Sequence, residues 1–167
     1  MTKEILRQFL EIRSSQDIKI GKKPDNNLSL NLIDLKDFQL NKFFYKNIGK
    51  YHHWVDRLDW TEKQWSEYIE NKNLKTYVLK DKENLLGYFE LILHQIENEI
   101  EIAYLGLLKE YHKKNLGSYL LTLAIKKSFE NNPKRVWVHT CSLDHENALN
   151  NYISRGMKIF KQEVIKI

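Results

Sequence analysis

The stretch Glu101–Ser118 reads EIAYLGLLKEYHKKNLGS, and the rest of the chain is organised around it. It begins with the alternation of polar and apolar residues that is typical of a strand, and its last residues open a helix with apolar periodicity. A basic turn lies between the two elements. The first turn of a helix has N–H groups without an intrahelical partner and carries the positive end of the helix dipole. The segment therefore predicts a site for an anion such as a phosphate.

Individual residues of the turn suit this interpretation. Gly117 would let the backbone approach a phosphate closely, and Asn115 is the non-glycine residue best suited to a left-handed turn. His112, Lys113 and Lys114 add basic side chains around the same point. A turn of this composition is also found in ordinary solvated loops, so both interpretations stay open on the turn alone.

The stretch resembles the acetyl-CoA motif of the GNAT N-acetyltransferase superfamily, whose turn has the pattern Gln/Arg-x-x-Gly-x-Gly/Ala. The pattern falls on His112–Gly117, with His112 in place of Gln or Arg and Asn115 in place of the first Gly. A second segment, Ala148–Met157, resembles the superfamily's Ala-x-x-x-Tyr-x-x-x-Gly-Phe segment, with Met157 in place of Phe. Both segments occur in the expected order, so the chain is identified as a member of this superfamily from its second half.

The resemblance implies that acetyl-CoA binds here as a cosubstrate and that no metal takes part. In the superfamily, the strand that corresponds to Leu105–Leu107 splays away from its neighbour and leaves N–H groups free for the acetyl oxygen and the pantetheine amide. The backbone of Leu105, Gly106 and Leu107 is implied in that role. The residues implied to hold the cofactor at the turn are His112, Lys113, Lys114, Asn115, Leu116, Gly117 and Ser118.

Glu101 is the predicted general base. A lysine-like ammonium has an unperturbed pKa near 10.4, so making it neutral at pH 7 requires roughly 4 to 5 kcal/mol and favours a base beside the acceptor. The resemblance to the histone-acetylating branch implies that Glu101 acts as this base, directly or through water. Glu90 on the preceding strand is the reserve candidate. The structural alternative is that Glu99 and Glu101 share a solvated face of an exposed strand.

Tyr152 is the second predicted catalytic residue. It stands at the superfamily's tyrosine position, where the resemblance implies that it protonates the departing CoA thiolate. The alternative is a half-buried helix tyrosine without a catalytic role.

The acceptor site is predicted in the aromatic segment YHHWVDRLDW. Aromatic rings and a fixed cation form a shaped pocket with orienting hydrogen bonds, which makes Trp54, Arg57 and Trp60 candidates for substrate binding. The structural alternative is that the segment packs into the core beside a helix, with Arg57 paired to Asp56 or Asp59.

The segment around Cys141 offers a rival chemistry. Cys141 with Asp144 and either His139 or His145 contains the residue types of a thiol nucleophile and also those of a metal site. Neighbours on a strand and its exit loop seldom point at one another, and no second Cys or spaced His motif is present. A small buried cysteine at a strand end is the interpretation that we favour.

Length and composition agree with one globular domain over residues 1–167. The chain is 42% hydrophobic and contains no apolar run of membrane-spanning length, and charges interrupt its N-terminus where a signal peptide would be apolar. A lone cysteine agrees with a reducing compartment, so we expect a cytoplasmic location. The net charge of +5 is spread along the chain, which argues against nucleic acid as a partner and suits a polyanionic cofactor.

Local patterns predict a mixed α/β fold. The first segment, 3–12, could be a strand or a short helix, and a capping-box pattern at Thr61 and Gln64 begins a helix. The other predicted strands are 28–34, 76–80, 85–94, 99–107, 135–140 and 158–165, and the other predicted helices are 37–47, 116–131 and 146–154. The resemblance implies a GNAT-like fold: a central, mostly antiparallel sheet with a parallel, splayed strand pair and helices on both faces.

The combined prediction is an acetyl-CoA-dependent acyltransferase that transfers an acetyl group directly to an amine of a small metabolite or a protein. Acetyl-CoA and the amine are the expected partners, a membrane is not, and a homodimer is left open. The alternative is a CoA-binding regulatory or interaction module without turnover, which the altered turn at His112 and Asn115 keeps open.

Overall fold

A computed structural model describes residues 1–25, 27–34, 36–112 and 115–167. Short 3-10 turns lie at Ser15–Asp17 and Lys109–Tyr111. The strands and longer helices are, in chain order, β1 (Glu4–Ile12), β2 (Ser29–Leu32), α1 (Gln39–Gly49), α2 (Glu62–Ile69), β3 (Leu74–Asp81), β4 (Asn84–His94), β5 (Glu99–Leu107), α3 (Leu116–Phe129), β6 (Arg135–Cys141), α4 (Ala148–Ser154) and β7 (Lys158–Lys166).

The strands form one seven-stranded sheet in the order β2-β3-β4-β5-β6-β1-β7. Neighbouring strands are antiparallel except for β5 and β6, which are parallel. Such a parallel pair needs a crossover connection, and α3 supplies it. The predicted fold class, a mixed α/β fold with a mostly antiparallel sheet and one parallel pair, is confirmed.

The parallel pairing is short because β5 bends soon after it begins. Glu99–Glu101 pair with Arg135–Trp137, and within the described residues no further pair joins the two strands. The register between β4 and β5 shifts between Glu90 and Leu91, which leaves Ala103 as an extra residue on β5. An extra residue of this kind bends its strand and increases the local twist. The C-terminal halves of β5 and β6 therefore separate.

The core lies on both faces of the sheet. The larger cluster joins the sheet to α3 and α4, and its centre includes Leu120, Leu121 and Ile125, each with 0% of its surface exposed. A smaller cluster packs α1 on the opposite face through Phe44 and Ile48. No helix within the described residues has the length and apolar character needed to cross a bilayer.

Two local predictions have clear outcomes. The capping box is confirmed, because Thr61 Oγ1 accepts from the Gln64 N–H at 3.2 Å and Gln64 Oε1 accepts from the Thr61 N–H at 2.8 Å. The first segment, which local pattern left undecided, is the strand β1. It pairs with β6 on one side and β7 on the other, so non-local hydrogen bonds decide its conformation.

Replacing Ile125 with Ala should lower the free energy of unfolding by about 2–5 kcal/mol, because it leaves a cavity between α3 and the sheet. The matched control is Ile96→Ala in the β4–β5 turn, where the side chain is 96% exposed. We expect that control to change stability by no more than about 0.5 kcal/mol. Urea unfolding measures both, and equal losses would contradict the position of the core.

Candidate functional site

A cavity of about 590 Å³ opens where β5 and β6 separate. Its walls come from the end of β5, the turn and first residues of α3, and the loop and helix that follow β6. Eight of the predicted site residues line it: Leu105, Gly106, Leu107, His112, Asn115, Gly117, Ser118 and Tyr152. The structure thus brings together most of the predicted cofactor residues and the predicted acid, while Lys113 and Lys114 lie outside the described residues.

Asn115, directly before α3, has the backbone conformation that the sequence predicts. Asn115 is left-handed, with φ 59° and ψ 13°, a conformation that asparagine adopts more readily than other non-glycine residues. Gly117 lines the cavity, and a Cβ placed on it would lie no closer than 3.9 Å to Asn151 Nδ2 and 4.0 Å to Leu107 Cδ1. Protein packing therefore does not require a glycine here, and the space that it leaves belongs to the cavity.

The first backbone amides of α3 remain available. Within the described part of the chain, no acceptor is paired with the N–H of Leu116, Gly117 or Ser118. Leu116 turns its side chain into the core, where it is 5% exposed, and so fixes the start of the helix against the sheet. Asn151 Nδ2 donates to the Gly117 carbonyl at 3.1 Å and ties α4 to α3. These amides suit a diphosphate in geometry and in charge.

The backbone of β5 offers a second set of donors. The Leu108 N–H donates to the Leu86 carbonyl at 2.8 Å, so it points toward β4. Because successive N–H groups of a strand point to opposite edges, those of Leu105 and Leu107 face the gap beside β6, and that of Gly106 faces β4. The strand edge at the gap can therefore pair with an extended, amide-containing ligand.

Three imidazoles meet at the cavity wall: those of His52, His112 and His145. The His52 ring centroid lies 5.5 Å from that of His145 and 6.2 Å from that of His112, and the other two centroids are 5.4 Å apart. His112 Nε2 lies 3.1 Å from the Leu107 carbonyl, so it donates and carries the proton in the neutral ring. His145 Nδ1 accepts from the Asn147 N–H, which leaves its proton on Nε2 in the neutral ring.

His52 differs from the other two because its ring has no hydrogen-bond partner among the described residues. Burial lowers the pKa of His52 below its ordinary value; His145 and His112 act in the same direction, and Asp144 opposes them. The imidazole is therefore neutral at pH 7 and can accept a proton. His52 was not among the predicted site residues, although its position between an apolar helix and Trp54 was a usable signal.

Tyr152 lies on α4 with its side chain mostly buried and lines the cavity. Burial, with a smaller effect of the Asp144 carboxylate, raises the pKa of the Tyr152 phenol above its ordinary value. The phenol therefore keeps its proton at physiological pH and can donate a hydrogen bond to a sulfur in the cavity. Full proton transfer to a thiolate, whose unperturbed pKa is about 8.5, would be uphill in this environment.

Glu101 lies outside the cavity lining, at the point where β5 and β6 stop pairing. Its Oε1 is 3.0 Å from His94 Nε2, and the His94 ring stacks on Trp137 with centroids 5.7 Å apart. The carboxylate is thus held by a neighbour at the closed end of the gap, and its side chain is 17% exposed. Its role as base stays a prediction.

Arg57 is buried and forms an ion pair with Glu90. Its side chain is 6% exposed and its Nη1 lies 3.0 Å from Glu90 Oε1. Burial by itself would lower the pKa of the Arg57 guanidinium, but the Glu90 carboxylate raises it, and the net direction is upward. Five rings surround the guanidinium with centroids 4.0–5.6 Å from Cζ: Tyr45, Trp60, Trp65, Tyr68 and Tyr104.

The partner of Arg57 is therefore Glu90, and neither Asp56 nor Asp59 takes that position. Glu90 has no exposed surface and also accepts from Tyr68 Oη at 2.7 Å and from Asn41 Nδ2 at 2.8 Å. With its oxygens committed to these donors, Glu90 is not accessible as the reserve base.

Trp54 and Trp60 flank this ion pair and do not line the cavity. Trp54 packs on Tyr104 with ring centroids 4.7 Å apart, and Trp60 packs on Trp65 at 5.0 Å. Both rings hold the loop between α1 and α2 in place, and that loop carries His52. Their direct contact with an acceptor remains a prediction, as does that of Arg57.

The residues of the rival thiol chemistry do not converge on Cys141. Asp144 Oδ2 accepts from Thr140 Oγ1 at 2.8 Å, and Asp144 Oδ1 accepts from the His145 N–H at 2.8 Å, so this carboxylate is engaged within the loop between β6 and α4. The helix begins at Ala148, later than the predicted start at residue 146. Across the described ranges, no three His, Cys, Asp or Glu side chains are grouped so as to hold a metal ion.

The sequence profile of the acetyltransferase (GNAT) family matches residues 38–157. This match spans most of the chain and includes both segments on which the resemblance rests. The chain therefore belongs to the GNAT acetyltransferase family. Comparison with curated proteins gives no sequence match.

Solved structures with the same fold include two GCN5-related N-acetyltransferases. That of Sphaerobacter thermophilus is 12% identical with a TM-score of 0.75, and the match covers 99% of this chain and 52% of that one. That of Kribbella flavida is 12% identical with a TM-score of 0.66, covering 96% and 56%. This chain thus spans little more than half the length of either structure, and at such identities the likeness shows the fold.

A third similar structure is closer to this chain in length. The aminoglycoside acetyltransferase meta-AAC0020 from an uncultured soil metagenomic sample, in complex with trehalose, is 15% identical with a TM-score of 0.63. The match covers 78% of this chain and 88% of that one.

Replacing Arg57 with Met should lower the free energy of unfolding by about 3–5 kcal/mol, because Glu90 is left as an uncompensated buried charge. The matched control is Arg13→Met, since Arg13 also pairs with a glutamate, at 3.1 Å, but its side chain is 67% exposed. We expect the control to lose less than about 1 kcal/mol. Adding Glu90→Gln to Arg57→Met should recover part of the loss. Equal urea midpoints for the two single variants would contradict the role of the ion pair.

Proposed function

We propose that this protein is an acetyl-CoA-dependent N-acetyltransferase that transfers the acetyl group directly to an amine. Membership of the GNAT family supports acyl transfer, and the backbone donors that line the cavity support acetyl-CoA as the cofactor. The observation that carries the proposal is the start of α3, where a left-handed Asn115, an uncrowded Gly117 and amides without an acceptor among the described residues lie at one cavity. Two of the β5 amides face the same gap, so donors for a diphosphate and for an extended pantetheine arm are continuous.

Each residue has a defined part in this proposal. When bound, acetyl-CoA supplies a thioester whose acyl carbon forms a C–N bond to the amine as its C–S bond breaks. The N–H groups of Leu105 and Leu107 hold carbonyl oxygens at the gap, where a well-directed amide contributes several kcal/mol to catalysis. Glu101 takes one proton of the ammonium group. The second N–H proton, released as the amide forms, passes to the departing sulfur, to which Tyr152 donates a hydrogen bond, so that CoA leaves as a thiol.

The acceptor is an amine in this proposal, and its size stays open between a small metabolite and a protein. One of the similar structures is an aminoglycoside acetyltransferase, which supports a polyamine as the first acceptor to test. The cavity is also compatible with a CoA-binding module that has no turnover. That second candidate is favoured by His112, which replaces a Gln or Arg and is bonded to the Leu107 carbonyl.

Calorimetric titration with acetyl-CoA, combined with thiol release over a panel of amines, tests the proposed function. We expect binding in the micromolar range and release that depends on an amine. The variant Gly117→Val should lose binding while its melting temperature stays within about 2 °C, since the nearest side-chain atoms leave room for a larger residue. Binding without release on any amine would favour the module, and unaltered binding by Gly117→Val would count against the diphosphate site.

Glu101→Gln should lower kcat/KM by about 10²- to 10⁴-fold near pH 7, the usual contribution of a general base. The loss should shrink at high pH, where the free amine needs no base, and affinity for acetyl-CoA should stay within about twofold. Glu99→Gln is the matched control, because Glu99 lies on the same strand at 19% exposure but pairs with Arg135.

The variant His52→Gln decides whether the base is Glu101 or the imidazole of His52. Because the pKa of His52 is lowered, a rate that depends on its neutral ring is complete at pH 7 and falls only as the pH drops below about 6.5. Loss of that acidic limb in His52→Gln, with an unchanged rate in Glu101→Gln, would transfer the role to His52.

A further inference from the structure

The cavity has a second charged region, at the end of α4, that the proposed function does not use. Lys22 and Arg155 line the cavity there, together with Ser118 and Ser154. Neither Lys22 nor Arg155 forms an ion pair with an acidic side chain among the described residues. The Arg155 Nε is buried and has no hydrogen-bond partner there. Two cations without a protein counter-charge thus face one wall of the cavity.

Two backbone hydrogen bonds hold the N-terminal segment that carries Lys22 in this position. The Gly21 N–H donates to Thr122 Oγ1 of α3 at 3.0 Å, and the Lys19 N–H donates to the Arg155 carbonyl at 3.0 Å. A Cβ placed on Gly21 would lie 2.8 Å from Arg155 Nη1 and 2.9 Å from the Ser118 carbonyl carbon. The backbone beside Lys22 therefore touches both the guanidinium and the first turn of α3. Only glycine permits that approach.

The acidic residues of the cavity lie elsewhere. Asp144 and Glu146 line it before the start of α4, whereas Arg155 follows the end of that helix. Seven residues of helix separate the two regions, which at 1.5 Å per residue is about 10 Å. The region around Lys22 and Arg155 is therefore locally positive, and it adjoins the α3 amides proposed for the diphosphate.

We propose that Lys22 and Arg155 form a separate phosphate subsite, which binds the 3′-phosphate on the ribose of the CoA nucleotide. The inference rests on the proposed cofactor and adds the residues that distinguish CoA from a nucleotide without this phosphate. A monoester phosphate carries nearly two negative charges and accepts from several donors, which suits a guanidinium, an ammonium and the Ser154 hydroxyl. The Ser118 hydroxyl already donates to the Asn115 carbonyl at 3.0 Å. The α3 amides are left for the diphosphate, so the two phosphate groups have different partners.

Neither residue was predicted to bind the cofactor, for different reasons. Arg155 stands inside the second family-like segment, next to Gly156, where its charge was a usable signal. Lys22 lies in a polar connection far from that segment in sequence, and only the contacts of Gly21 bring it to α3. No local pattern could have paired it with Arg155.

Calorimetric titration of the full chain with CoA and with dephospho-CoA tests the subsite without relying on turnover. Wild-type protein should bind CoA at least about tenfold more tightly than dephospho-CoA, the effect of one charged hydrogen-bonded group. Lys22→Met should lower CoA affinity about three- to tenfold and leave dephospho-CoA affinity within about twofold. In Lys22→Met/Arg155→Met the two ligands should bind equally.

Lys23→Met is the matched control, because Lys23 is the exposed neighbour of Lys22, changes net charge equally and does not line the cavity. It should keep the wild-type ratio of the two affinities. Melting temperatures identify any misfolded variant, and Lys22→Met alone keeps the test valid if Arg155→Met fails to fold. Equal binding of the two nucleotides by wild-type protein, or equal effects of Lys22→Met and Lys23→Met, would overturn the subsite. Wild-type protein that binds neither nucleotide would overturn the proposed cofactor and the subsite together.

Discussion

The extra residue at Ala103 is the constraint on which the site depends. Up to Glu101, β5 is paired on both sides, and beyond the register shift it keeps only its partner β4. A strand that loses one neighbour must leave N–H and C=O groups along an open edge, and burying them unpaired would be unfavourable. The edge at Leu105 and Leu107 is instead placed in a cavity, where a ligand or water can satisfy it. The open strand edge in the cavity therefore exists because the pairing between β5 and β6 stops early.

The buried ion pair of Arg57 and Glu90 stabilises the loop that contributes His52 to the cavity. Taking Arg57 and Glu90 out of water is unfavourable unless their polar atoms are paired, and Tyr68 and Asn41 each donate a further hydrogen bond to Glu90. The Arg57 backbone N–H also donates to Tyr45 Oη at 3.0 Å, so side chain and main chain are both fixed. The loop that carries His52 is therefore anchored by polar contacts within an aromatic cluster.

Much of the fold and the local backbone features of the candidate site could be predicted from the sequence, because they depend on local chemistry. The left-handed Asn115, the capping box at Thr61 and the alternation in β5 are properties of a few neighbouring residues. Contacts between distant residues could not be predicted. The local pattern leaves the conformation of β1 open because it depends on two partner strands. Arg57 pairs with Glu90 in place of a neighbouring aspartate, and the contacts of Gly21 bring Lys22 near Arg155. The spacing of residues in the sequence does not predict such contacts.

The position of Arg57 within its loop has a consequence for how this chain can diversify. Its guanidinium is satisfied internally, whereas residues on either side of it, such as His53, Val55 and Leu58, face solvent. Changes at those exposed positions leave the anchored cluster intact, so selection can alter this surface of the loop without destabilising the fold. Within this one loop, the buried Arg57 contributes to stability, and the exposed residues beside it are free to change.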